Sequence, residues 1–540
     1  MDYESRMRAF DRVKAKRGNW DTTFQEIAER VMPQMADFNT RQAEGAKRTE
    51  KMFDPTAGLA AQKAVSAIAA FAWPSNQRYQ KLTTNNKELN KIQRVKAWFD
   101  DATDKLFEAR YSPRAAFESQ MSESALTSFV FGTGGMFLDE DIKRRCFRYK
   151  SLSLARTYIV EGADGRIDTV YRCWEWTIRQ IASRFKSIPD ALRQKLESRA
   201  DDMVEIVHIV CPRDDVDPER LGYHGMPWAS CYYLPGHDKF VLEEGGYRSW
   251  PFGFHRYMTS PGEVYGRSPA WMALSSIKVL NAQKKSILQA AQKAVDPPLL
   301  ASEDGVLSAF SQVPGAVNYG GLDSQGNQLV KPLITGANVG IGLDMMDKER
   351  EIIAGAFMMD VFRVLVEHPN MTATQTMELM NERATIMAPI VSRYESEHFS
   401  PMTERELDLL VHAGQLPPMP PELIEAEGEY KIEYTSPMRR AMRSSEAIAI
   451  TRTLEAVTPM AQIDPSVLDS FDLNECAREI GEINGMPAKC LRDIEELKAL
   501  KEKRATDQQA AQLLEAAPVV SQTAANMAKV QAAGGLVPGF

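Results

Sequence analysis

A chain of 540 residues, 44% hydrophobic and 26% charged, carries enough apolar material for one large core or several medium ones and should be folded over most of its length. Its 65 basic against 73 acidic side chains leave a formal charge of -8, which excludes a protein whose affinity comes from wrapping phosphates; any contact with nucleic acid must be local. Cys146, Cys173, Cys211, Cys231, Cys476 and Cys490 form no CxxC pair and have no histidine at ligand spacing, so neither a zinc site nor a disulfide framework is indicated and they read as reduced thiols. The N-terminal stretch is charged throughout and lacks the apolar run of a signal peptide. The longest charge-free run, residues 305–322, contains Pro314 and several polar residues, so no membrane insertion is expected and the protein should be made in the cytoplasm.

Taken in chain order, apolar spacing predicts a helix from Asp2 to about Met32, stopped by Pro33. Asp54 should cap an alanine-rich helix that begins with Pro55 and ends at the Trp73-Pro74 break. Further helices are predicted over 90–109 and 114–131. Between Gly135 and Gly262 the pattern alternates, as in 146–149, 169–173 and 205–211, with Gly and Pro punctuation; this is an α+β body with at least one helix near 177–198. Helical spacing returns over 265–295 and is stopped by Asp296-Pro297-Pro298. About forty residues rich in Gly, Pro and Asn follow, and a second helix is predicted over 343–366.

After a short loop, 372–412 reads as one long helix. Met377, Met380, Ala384, Met387, Val391, Tyr394 and His398 fall on one face, and Pro389 and Pro401 should kink it. Gly414 and the prolines at 417, 418, 420 and 421 end it. A short strand over 430–434 precedes a helical block from 438 to 515, and 516–540, poor in charge, should fray.

Candidate chemistry concentrates on the two helices around the Gly/Pro-rich segment. Residues 267–295 contain Arg267, Lys278, Lys284, Lys285 and Lys293 and no acid; residues 343–360 contain Asp344, Asp347, Glu349, Glu351 and Asp360 against Lys348 and Arg350. One reading is a basic helix packed beside an acidic one, within or between subunits, with each exposed pair giving under about 1 kcal/mol. The other is that some of these cations face a channel and touch passing phosphates. Phe131-Gly132-Thr133-Gly134-Gly135 lacks the spacing of a phosphate loop and reads as a tight turn. The seven histidines show no HExxH and no Ser/His/Asp order, and no catalytic residue, metal site or cofactor is indicated; His398 reads as a hydrogen-bonded core or interface histidine. Methionines cluster between 345 and 387; plain core packing is the simpler reading, and the other is that flexible thioethers suit helices that re-pack.

Three stretches, Thr372–Pro420, Val264–Leu300 and FVFGTGGMFLDED at 129–141, together with the order of elements over roughly residues 1–440, resemble the portal, or head-to-tail connector, proteins of T7-like short-tailed double-stranded DNA bacteriophages. The resemblance implies a mainly α fold with an α+β body, assembled as a homo-oligomeric ring, typically of twelve subunits, around a central channel. It implies a wing (1–262, with the long helix and strand at 373–437), two stem helices (263–296 and 343–366), a clip (297–342), a tunnel loop (367–372), crown helices (438–515) and a flexible tail (516–540). Lys278, Lys284, Lys285, Lys293, Lys348 and Arg350 become candidates for the channel or stem interface. Glu367, His368, Pro369, Asn370 and Met371 would form the tunnel loop. Val306, Leu307, Phe310, Val313 and Val317 would bury their apolar groups against neighbouring subunits at the clip.

The implied partners are the major capsid protein, a scaffolding protein, the terminase large subunit, a tail adaptor, internal core proteins and transient, non-specific double-stranded DNA, at the portal vertex of the virion. Such a ring hydrolyses nothing itself; a docked terminase supplies the force. A net acidic conduit with sparse basic rings lets DNA slide, whereas a dense cationic surface would brake it. The rival readings are another virion structural protein, an internal scaffold or a tail tube, and a DNA-processing enzyme. The first should be more uniformly helical, and the second should carry a phosphate loop, metal cluster or nucleophile.

Overall fold

The computed structural model describes residues 3–507 except 41–42, 44, 87, 142–143, 145, 218–221, 238–239, 302–310, 312, 323, 334–338, 362–372, 427, 484–485, 487–495, 498 and 505. The chain divides into two compact units. The first comprises residues 1–79, 105–416 and 434–442, and the second comprises 80–104, 417–433 and 443–540. No described helix is long and apolar enough to cross a membrane.

The first unit is built on two antiparallel sheets. One is a five-stranded meander of consecutive strands, Thr157–Glu161, Ile167–Thr177, Met203–Pro212, Trp228–Leu234 and Phe240–Tyr247. The two-residue period of its strands decides which core each side chain joins. On the strand Met203–Pro212, Val207, Ile209 and Cys211 face one way and pack with Met7 and Phe10 of the N-terminal helix Tyr3–Lys16. Ile206 faces the other way, into a cluster with Ile178, Ile181, Phe185 and Leu192 from the helices Ile178–Arg184 and Asp190–Ser198. The second sheet has three strands, with Thr133–Asp141 between Cys146–Ser151 and Phe252–Arg256. The α+β texture predicted for 135–262 is thus present.

The predicted N-terminal helix is two, Tyr3–Lys16 and Gly18–Val31, parted at Arg17. The buried Arg17 guanidinium donates to the carbonyls of Leu154 (2.9 Å), Ala155 (3.1 Å) and Thr157 (2.5 Å), pairs with Asp21 at 2.8 Å and lies 3.9 Å from the Tyr158 ring centroid. Periodicity could not show this break, because both segments keep helical spacing. The helix predicted from 114 begins instead at Phe117, after Ala116 takes a left-handed φ of 58°. Its C-cap is Gly132 at φ 91°, and a Cβ there would lie 2.1 Å from the Gly266 carbonyl oxygen. The glycines at 132–135 therefore make a tight turn and a close backbone approach.

The long helix runs as Ala373–Arg393, a π-helical turn Tyr394–Phe399 and Ser400–His412. Pro389 lies inside it, while Pro401 follows directly on the π turn; the missing proline N–H cannot close the regular ladder, and the widened turn absorbs the mismatch. Ala384, Met387, Val391, Tyr394 and His398 are buried on one face, as their spacing predicts; the side chains of Met377 and Met380 lie outside the described residues. His398 is fully buried, its Nδ1 3.3 Å from that of His255, whose Nε2 lies 3.1 Å from the Ser124 carbonyl. Burial holds both imidazoles below the ordinary histidine range, His255 at about 3, so they are neutral core groups at physiological pH.

An ion pair ties this long helix to the body. Arg110 Nε donates to Glu406 Oε1 at 3.0 Å, its Nη1 to Tyr79 Oη at 2.7 Å and its Nη2 to Thr403 Oγ1 at 3.1 Å, and the Tyr149 hydroxyl donates to the same carboxylate. Both charged side chains are within 1% of fully buried. In the second unit, Gln80–Thr83 pairs with the strand Lys431–Tyr434, and Trp98 Nε1 donates to the Pro417 carbonyl at 3.1 Å. The predicted C-terminal helical block resolves into Pro437–Ile463, a short 3-10 stretch Pro465–Ser470 and Leu473–Ile483; 508–515 lie outside the described residues.

Because each partner of the Arg110–Glu406 pair would strand the other, Glu406→Gln or Arg110→Met should lower unfolding stability by about 3–5 kcal/mol, and the double replacement Arg110→Met with Glu406→Leu by less than either alone. Urea denaturation followed by circular dichroism measures this. Double-variant destabilisation equal to the sum of the singles would show that the pair is not coupled.

Candidate functional site

The two helices singled out by charge form an antiparallel pair within the first unit. After the short helix Pro269–Met272, capped by Ser268 Oγ accepting from Trp271 N at 2.9 Å, Leu274–Val295 runs for 22 residues. A break at Ala273 thus divides what sequence predicts as one helix. The second helix is Val339–Ala356, starting earlier than the predicted 343–366; a break at Met358, left-handed at φ 54°, interrupts it before helical residues 359–361, and 362–366 lie outside the described residues. Ile287 lies against Gly342, where a Cβ would come within 2.8 Å, while Asn281 and Arg350 meet at Asp54. This pairing of positions makes the helices antiparallel, with Ile277, Leu280, Met346 and Ile353 buried.

Their common end is held at the loop before the helix Thr56–Ala72. Asn281 Oδ1 accepts from the backbone N–H groups of Phe53 (2.6 Å) and Asp54 (3.0 Å). The Asp54 carboxylate accepts from Thr56 N at 3.0 Å, from its hydroxyl at 2.5 Å and from Arg350 Nη2 at 2.7 Å. The alanine-rich helix starts at Thr56 with Pro55 in the N-cap position, one residue later than expected; the Asp54 carboxylate still caps its first turn through the Thr56 N–H and also binds the second helix of the pair. Burial alone would raise its carboxyl pKa, but the hydrogen bonds from Thr56 and Arg350 hold it below the ordinary 3.8.

The complementary charges do not pair across the seam. Among the described residues, Lys278 pairs with Glu26 at 2.7 Å and Arg350 with Asp54 and Asp347, while Lys285 lies 5.8 Å from the Phe53 ring centroid. Lys284, Lys293 and Lys348 have no ion-pair partner among those residues. Helical spacing explains this: apolar side chains fill the seam, Lys278, Lys285 and Lys293 share a face of one helix away from it, with Lys278 turned to Glu26, and Asp344, Asp347 and Glu351 share the far face of the other with Lys348. Exposed Val279, Leu288 and Val295 lie among the cations, and exposed Ile341, Met345 and Ile352 beside the acids.

The insert between the helices is anchored by a hairpin, Leu299–Ala301 antiparallel to Val330–Pro332, with Leu300 opposite Lys331. Val313 and Val317 are 69% and 73% exposed, and Tyr319 84%. Val306, Leu307 and Phe310 lie outside the described residues, as do Glu367, His368, Pro369, Asn370 and Met371. Half of the exposed large apolar side chains among the described residues fall between 279 and 352. Sequence reasoning found the charges but missed the Asn281–Asp54–Arg350 node. Its signal was an asparagine in a helix interior, a poor position unless its amide has a partner.

Comparison with known proteins agrees with this architecture. Residues 4–491 match the family of bacteriophage head to tail connecting proteins, and the chain belongs to that family. It is 26% identical over 483 residues to the "Probable portal protein" of Bordetella phage BPP-1, covering 88% of this chain and 86% of that one. It is 23% identical over 491 residues to the "Portal protein" of Salmonella phage epsilon15, covering 89% and 87%. A chain from the virion of a native gene transfer agent particle aligns over 78% of this chain and 92% of that chain at 13% identity, but with a TM-score of 0.35, too low to carry an argument. The family is the head-to-tail connector class that the resemblance implied.

Asp54→Asn should cost about 1–3 kcal/mol at neutral pH by weakening three hydrogen bonds at one buried acceptor. Because the folded carboxyl pKa is depressed, its contribution is complete above the unfolded value near 3.8 and is lost as pH falls through the lower folded value. The stability gap between wild type and Asp54→Asn, read from urea midpoints, should hold from pH 7 to 5 and narrow below pH 4.

Proposed function

We propose that this chain is the repeating subunit of a ring at the unique capsid vertex, forming the passage for genome packaging and ejection. The observation that carries the proposal is the helix pair, which has apolar groups and segregated charge on its outward faces. In a ring, the basic face of Leu274–Val295 of one copy meets the acidic face of Val339–Ala356 of the next. Such a contact is heterologous, joining two different patches, and repeats until the rotation closes. It covers Val279, Leu288, Ile341, Met345 and Ile352 and pairs the charges left over within one chain.

In this reading the helix pair is the stem and residues 297–342 the clip, whose exposed Val313, Val317 and Tyr319 await neighbouring subunits and then the terminase or tail adaptor. The first unit's sheets and the long helix supply the wing, residues 367–372 the tunnel loop and residues 438–515 the crown. Lys293 and Lys348, exposed and without an ion-pair partner among the described residues, are the cations best placed to touch sliding DNA or a neighbour's acids, with Lys284 half-buried nearer the seam. The ring would also nucleate capsid assembly, contacting major capsid, scaffolding and internal core proteins.

Native mass spectrometry should give a particle of about 0.7 MDa, near twelve copies of the chain, as closed symmetry requires. Lys285→Glu should shift that population toward smaller species, because each exposed contact of up to about 1 kcal/mol recurs at every interface. Combination with Glu351→Lys should restore it. A wild-type protein that stays monomeric across salt concentrations would sink the ring.

A further inference from the structure

A second surface feature of the first unit has chemistry that the helix pair does not use. A cavity of about 480 Å³ opens between the turn at 164–168, the strand Phe252–Arg256 and the outer side of the π turn and following helix at 396–404. Trp228 and Trp250 stand in its wall with ring centroids 4.5 Å apart, and Phe254 extends the aromatic surface. Four carboxylates line it, from Asp164, Asp168, Glu397 and Glu404, against the guanidinium groups of Arg166 and Arg256.

The internal cations do not neutralise it. Arg256 is spent on Glu397, at 3.0 and 2.8 Å, and on Glu161 at 2.5 Å. Arg166 is 87% exposed and reaches Asp164 only at 4.0 Å. Asp168 Oδ2 and Asp164 Oδ1 converge over the bare Cα of Gly162, where a Cβ would lie 2.4 and 3.2 Å from them. Glu404 has no ion-pair partner among the described residues, and desolvation by the cavity walls raises its carboxyl pKa, with Arg166 opposing. Asp168 and Glu404, without an ion-pair partner among the described residues, line the same cavity as the two indole rings, and carboxylates with aromatic rings are the complement of a flat cation. A guanidinium stacks on an aromatic face and takes carboxylates in its plane, which an ammonium does less well. The negative wall repels phosphates, so nucleic acid is not the occupant.

We infer that this cavity receives an arginine side chain presented by a basic segment of a partner protein. None of the residues lining the site belongs to the helix pair.

The test uses the full-length protein and a photoreactive probe, acetyl-benzoylphenylalanyl-arginyl-glycinamide, with its neutral citrulline counterpart as control. Cross-links mapped by mass spectrometry should fall within 228–254 or 396–404 and exceed those of the citrulline probe by about fivefold or more. Glu404→Gln should remove most of that difference and Glu404→Asp retain part of it; Glu404 is exposed, and unchanged circular dichroism separates lost binding from lost fold. Equal labelling by the citrulline probe, labelling elsewhere only, or none at any salt concentration would overturn the inference. So would competition by spermidine but not by unlabelled acetyl-arginyl-glycinamide, which would mark a site for free polyamines.

Discussion

The Asp54 carboxylate is where the helix pair is fixed to the body, and the chemistry of the pair's surface follows from that anchorage. Held at one end by Asn281 and Arg350, the two helices bury only the apolar row along their seam. Their remaining faces are left with basic charge on the first helix, mainly acidic charge on the second, and uncovered Val, Leu, Ile and Met side chains. A monomer gains nothing from that arrangement, since apolar surface in water is unfavourable. A copy of the same chain offers the opposite face.

The body is held together differently. Arg17, Arg110 and Arg256 each sit largely out of water and each spends its donors on several acceptors brought from distant parts of the sequence. A buried guanidinium tolerates few arrangements, because any unsatisfied donor carries a desolvation penalty. These centres specify how the N-terminal helices, the sheets and the long helix meet more sharply than apolar contact could. The π turn, which contains His398 and precedes Pro401, lies in the same region, so the long helix changes winding where it packs against the strand Phe252–Arg256.

The acidic aromatic cavity lies on the outward side of that same turn, formed where the loop at 162–168 passes over it. Its residues come from four separated segments, and none forms a spacing motif.

Several things were legible in the sequence alone because they depend on neighbours along the chain. The helices around the insert, the alternation of the body, the buried face of the long helix and the capping role of Asp54 all follow from periodicity, proline chemistry and side-chain length. So does the segregation of basic and acidic residues onto two helices, and the order of elements sufficed for the family resemblance. What tertiary structure decided was which charges have partners and which do not. Lys278 meets Glu26, Arg350 meets Asp54, Arg110 meets Glu406 and Asp164 converges with Asp168, whereas the charges that looked complementary in sequence do not meet across the seam between the two helices. Periodicity fixes the face on which a charge lies, but its partner is set by where the fold brings another segment, and an ion pair acts over a few ångströms of space irrespective of separation along the chain.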